Sequence, residues 1–120
     1  MTGAALDRAA LASFRDALET QRGNVRREIA AEGADPDADG VPPDAERGFA
    51  DSAHTTAERA RQMALVEGLR GTLRDVDRAL EKVDRGTYGL CERCGQPIAR
   101  ERLEAIPWAR LCFDCKQKER

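Results

Sequence analysis

The sequence predicts a mainly α-helical protein: an antiparallel helical (coiled-coil) hairpin followed by a small four-cysteine module. Three observations carry this. Two long segments repeat apolar residues at helical spacing. A proline- and aspartate-rich stretch separates them. All four cysteines follow the second segment, as two Cys-x-x-Cys pairs. Composition narrows the class further. Alanine supplies 20 of the 120 residues, and Leu, Ile, Val and Phe together supply only 21. That apolar volume is thin for a compact core, so extended helix or a staple must make up the difference. A large catalytic cleft between packed layers is excluded on the same ground.

The first helix is predicted over about residues 5–32, where Leu11, Phe14, Leu18, Val25 and Ile29 lie at helical spacing. From Gly33 to about Gly48 the character changes. Pro36, Pro42 and Pro43 interrupt it, and seven acidic residues with no basic one lie between Arg27 and Arg47. The stretch reads as a solvated linker or as an acidic tip, and a connection between two antiparallel helices lies at their shared end. The second helix is predicted over about 51–84, with Asp51 or Ser52 as its N-cap. Leu69, Leu73, Val76, Leu80 and Val83 alternate steps of four and three, a heptad seam. The seam continues weakly through Ala53, Ala57, Ala60 and Leu65 or Val66. Gly68 and Gly71 soften the helix, or one of them leaves room for the ring of Phe14. Gly86 is the expected stop. The division is therefore 1–85, a helical hairpin with its acidic linker or tip around 33–53, and 86–120, the cysteine module.

Cys91, Cys94, Cys112 and Cys115 have the spacing C-x2-C-x17-C-x2-C, inside the window for a four-cysteine zinc site. Gly95 follows the first pair, where such a turn needs a positive φ. Four soft thiolates select one zinc ion, tetrahedrally held, with no open position for water; the ion is structural and 86–120 is a zinc finger. Arg93, Arg110 and Lys116 lie near the ligands and offset their negative charge. Ile98, Leu103, Ile106, Trp108 and Leu111 form a mini-core on the metal knuckles rather than a ligand pocket. No apolar run reaches the roughly 18 residues of a membrane span, and the N-terminus lacks a secretory signal. A cytoplasmic protein follows, in which cysteines serve as metal ligands rather than disulfides. Net charge runs from −4 over residues 1–50 to +3 over 85–120, and four thiolates around a divalent ion cut the latter further. This is no footprint for sequence-specific nucleic-acid binding.

Tyr88-Gly89-Leu90-Cys91-Glu92-Arg93-Cys94-Gly95, then Arg102-Leu103-Glu104-Ala105-Ile106-Pro107, then Cys112-Phe113-Asp114-Cys115-Lys116 resemble the zinc finger of the DksA/TraR family. The likeness is close over about 86–118 and looser over the preceding hairpin. It implies a regulator of transcription that binds bacterial RNA polymerase, its hairpin in the secondary channel and its zinc end at the rim, without catalysis. The family's Asp-x-x-Asp-x-Ala tip motif falls on 48–53, where Asp51 and Ala53 match and Gly48 replaces the first aspartate. Asp51 and Ala53 are thus the partner-binding candidates, although Asp51 serves equally well as a cap. His54, the sole histidine, reads as an exposed helix position. Two other readings compete: a zinc-containing protein-interaction module with a different partner, and a redox- or zinc-responsive stress protein. Monomer is the default, since the hairpin satisfies its own seam.

Overall fold

The computed structural model of the chain describes residues 6–38 and 55–119. Gly48, the cap candidates Asp51 and Ser52, the partner-binding pair Asp51 and Ala53, and His54 lie outside the described residues. Among the described residues four helices form: α1 (Arg8–Ala31), α2 (Thr56–Arg85), α3 (Arg100–Ala105) and α4 (Phe113–Lys118). None is long and apolar enough to cross a membrane.

The helix starts differ from expectation. Asp7 opens α1: its Oδ1 accepts the Ala10 N–H at 2.8 Å and its carbonyl accepts the Leu11 N–H at 2.9 Å. At α2, Thr55 Oγ1 accepts the Glu58 N–H at 3.1 Å, and Glu58 Oε1 accepts the Thr55 N–H at 3.2 Å. This reciprocal capping box meets two free donors at once. It starts α2 at Thr56 rather than at the 51–52 predicted from single cap residues. The stops agree with expectation. After α2, the Thr87 N–H reaches the Lys82 carbonyl at 2.9 Å and the Gly86 N–H reaches that of Val83 at 3.3 Å, with Gly86 at φ 79°. A Cβ there would strain the left-handed backbone that this closing motif requires. The same pair of bonds closes α1, from Ala34 to Ile29 and from Gly33 to Ala30.

The chain divides into two compact units, Met1–Gln21 with Asp75–Arg120, and Arg22–Arg74. In the first unit Phe14 and Leu18 of α1 join Val76 and Ala79 of α2, together with Tyr88, Cys91, Ile98, Leu103 and Cys115. In the second, Val25 and Ile29 join Val66 and Leu73, with Ala34 and the partly buried Leu69. In each unit a stretch of α1 packs with a stretch of α2. The structure selects Val66, fully buried, over its exposed neighbour Leu65. No atom of Phe14 lies within 4 Å of where a Cβ at Gly68 or Gly71 would stand. The Phe14 ring packs on Tyr88, centroids 5.5 Å apart and planes tilted by 43°. A Cβ at Gly68 would meet nothing within 4 Å, so this glycine weakens the helix without serving packing.

Candidate metal centre

The first cysteine pair sits on a minimal β-ribbon. Leu90 bridges Pro97 antiparallel, the Cys91 N–H donates to Gln96 O at 2.8 Å, and the Ile98 N–H donates to Gly89 O at 2.7 Å. The turn closes through the Gly95 N–H to Cys91 O at 2.9 Å, with Gly95 at the expected positive φ of 77°. The second pair begins α4. Cys112, extended at φ −69° and ψ 168°, is its N-cap, and Cys115 lies one turn on. One backbone bond joins the knuckles, from the Glu92 N–H to Arg110 O at 2.9 Å.

These elements bring the four predicted sulfurs together, all within 4.8 Å of one another, with Cys94 and Cys112 at 3.8 Å. Sulfurs arranged tetrahedrally about 2.3 Å from a zinc ion are about 3.8 Å apart, so the donor set fits that ion. Cys91 and Cys115 are buried, while Cys94 and Cys112 face outward in part. Burial opposes ionisation of Cys91, yet backbone N–H groups of Cys94, Cys112 and Arg93 hold its thiol at about 6. Burial pushes the Cys115 thiol up to about 12, and hydrogen bonds to the Cys112, Cys91 and Cys94 sulfurs add to the rise. One sulfur gives up its proton readily while its neighbour resists. Four thiolates this close are stable together only around a cation.

Around the sulfurs the expectations divide. Ile98 and Leu103 are buried as a mini-core requires, and Trp108 and Leu111 pack against it in part. Ile106 departs from the expectation: it is 37% exposed and lines an open cavity of about 210 Å³ with Asp75, Arg102, Trp108, Arg110 and Lys116. Tyr88 is anchored by its hydroxyl, which donates to Pro107 O at 2.8 Å. Two of the three cations expected to offset the sulfur charge, Arg110 and Lys116, pair with carboxylates, while Arg93 reaches the cluster through its backbone N–H, 3.4 Å from Cys91 Sγ. Arg110 pairs with Asp75 at 3.3 Å and Glu92 at 3.5 Å, and Lys116 pairs with Glu119 at 2.9 Å.

Sequence reading missed Glu92. Its side chain, 18% exposed, takes Arg78 at 2.6 Å and Lys82 from α2, and Arg110 from before the second knuckle. Burial alone would raise its carboxyl, but hydrogen bonds from Lys82 and Arg78 dominate and hold it below the usual range. A carboxylate between two cysteines gives no local sign of partners 10 or 14 positions upstream.

A model of the prokaryotic dksA/traR C4-type zinc finger matches residues 86–120. The RNA polymerase-binding transcription factor DksA of Escherichia coli K12 is 32% identical over 113 residues, which span 92% of this chain and 72% of that protein. The chain belongs to the DksA/TraR family. General stress protein 16O of Bacillus subtilis is 42% identical over 68 residues, 57% of this chain and 42% of that one. The first curated relatives it matches are covered over only 32% to 49% of their lengths. Among solved structures, transcription factor DksA2 of Pseudomonas aeruginosa superposes with a TM-score of 0.72 at 29% identity, over 94% of this chain and 84% of that one. The mainly helical fold and the clustered cysteines of a C4-type finger are thus shared with this DksA/TraR family.

Proposed function

We propose that this chain is a regulator of transcription that binds bacterial RNA polymerase through the secondary channel and performs no catalysis. The observation that carries this reading is the relationship to the E. coli factor, which extends over nearly the whole chain rather than the finger alone. In this reading Cys91, Cys94, Cys112 and Cys115 hold one structural zinc ion. With four sulfur ligands the ion has no vacant position, so it supplies folding free energy and activates no water. Asp51 and Ala53 meet the partner from the acidic end of the hairpin. The protein acts as a cytoplasmic monomer and reads no DNA sequence.

The test is in vitro transcription with polymerase from the same cells, beside direct binding of labelled protein. Wild type binds and changes open-complex lifetime; Asp51→Asn binds equally and changes it less. A wild-type protein that neither binds polymerase nor alters transcript yield overturns the reading. Metal analysis returning other than one zinc per chain overturns the stoichiometry.

A further inference from the structure

The seam of the second unit breaks its own pattern. Val66 and Leu73 are buried on α2, but between them, one turn after Val66, stands Arg70 at 3% exposed. Burying a guanidinium is costly unless its charge and donors are met. No carboxylate among the described residues pairs with it. Nη1 donates instead to the carbonyl of Asp35 at 2.9 Å and to that of Ala38, while Nε and Nη2 are buried without partners among the described residues. A methionine or leucine would fill this place in the core with no charge to bury. What the arginine adds is the grip on two carbonyls.

Both carbonyls belong to the turn that leaves α1 after Gly33. Within it the Ala38 N–H donates to Asp35 O at 3.2 Å and the Asp37 N–H to Asp35 Oδ1 at 2.9 Å. The turn exposes Asp35 and Asp37, the latter paired with Arg26 at 2.8 Å. Arg70 ties this turn to α2 across more than thirty positions of chain.

We propose that Arg70 is a positioning residue: it fixes the turn that presents Asp35 and Asp37, and so sets the effect of this acidic turn on the partner without contributing to docking. Being buried, Arg70 touches no partner itself, and its influence passes through the turn. The functional half of this inference rests on the polymerase-binding reading above; the structural half does not.

The test uses the full-length zinc-loaded protein with Arg70→Met, which keeps length and removes charge and donors, and Arg70→Lys, which keeps the charge. Amide exchange should accelerate by about tenfold or more at Asp37 and Ala38 in Arg70→Met, with α1 amides such as Ile29 unchanged. In transcription, Arg70→Met should keep wild-type affinity for polymerase and lose most of its effect, and Arg70→Lys should recover part of both exchange protection and effect. Unchanged exchange at Asp37 and Ala38 in both variants overturns the clamp. Affinity and effect falling together overturn the positioning role and leave a general structural one. Wild type failing to bind polymerase sinks the functional reading alone, because exchange still judges the clamp. If Arg70→Met does not fold, Arg70→Lys decides by the same two readouts.

Discussion

The two units solve one problem with different means. Among the described residues, the second unit rests on five buried apolar residues, four of them on α1 and α2, and on a buried arginine that ties in the turn beyond. The core cluster of the first has nine buried residues among those described, and only four of these come from α1 and α2. The other five lie on the short segment 88–115, whose two helices are six residues each, and two of the five are cysteines. The second unit is a helix pair that packing sustains. The first adds a segment too poor in apolar groups to order itself, so its core and its metal site share residues. Where secondary structure is long, the heptad suffices; where it is short, the staple must be chemical.

The largest expected effect breaks this contrast open. Stripping the metal with a chelator, or replacing Cys115 with serine, removes binding free energy on the order of 10 kcal/mol from the first unit. Trp108 fluorescence should shift toward that of exposed indole, and amide protection at Cys91 and Ile98 should collapse. Protection at Ile29 and Val66 should survive. Retained protection at Ile98 after metal has left would show that packing alone holds the knuckles.

Next come the cores themselves. Leu18 and Ile29 are both fully buried on α1, one in each unit. Truncating either to alanine costs transfer free energy plus a cavity that depends on how far the surroundings relax. The larger, metal-fastened cluster around Leu18 relaxes less, so Leu18→Ala should cost about 3–5 kcal/mol and Ile29→Ala about 2–3 kcal/mol. Urea denaturation followed by circular dichroism measures both, and the reverse order would contradict the comparison.

How far each unit was legible follows the same division. The seams were readable because helical burial is periodic: Phe14, Leu18, Val25, Ile29, Leu73 and Val76 are all buried as spaced. The sulfur cluster was readable because ligand spacing is local to each knuckle. The start of α2 was misplaced although its signal was present. Asp51, Ser52 and Thr55 are all good caps, and only the three-residue step from Thr55 to Glu58 separates them. Glu92 and Arg70 were not legible. Each is a charged residue whose partners lie on another element, and neither charge pattern nor propensity distinguishes them from solvated neighbours.

Glu92 sharpens the first unit. Glu92→Gln leaves Arg78, Lys82 and Arg110 without their shared carboxylate while keeping the Glu92 N–H bond to Arg110 O. The loss should be about 1–2 kcal/mol, with zinc leaving faster to a coloured chelator. An unchanged release rate would mean that the knuckles are held by sulfur and backbone alone.

The smallest effect belongs to the second unit and concerns pH. Hydrogen bonding and then charge attraction from Arg26 hold the Asp37 carboxyl below its ordinary value of 3.8. A carboxyl depressed in the folded state binds its proton less readily there than in the unfolded chain. Its stabilisation is therefore present in full above the ordinary carboxylate range and disappears as pH falls through the folded-state value. Asp37 is exposed, so salt screens the pair and the contribution is slight. Comparing wild type with Asp37→Asn between pH 7 and pH 2 at low salt, the gap in melting temperature should narrow on acidification and close at the acid end. At 1 M salt it should shrink at every pH. A gap that persists at the acid end would show that Asp37 acts through the packing of its side chain rather than its charge and that its pairing with Arg26 is incidental; its N–H bond to Asp35, which asparagine retains, would leave no gap.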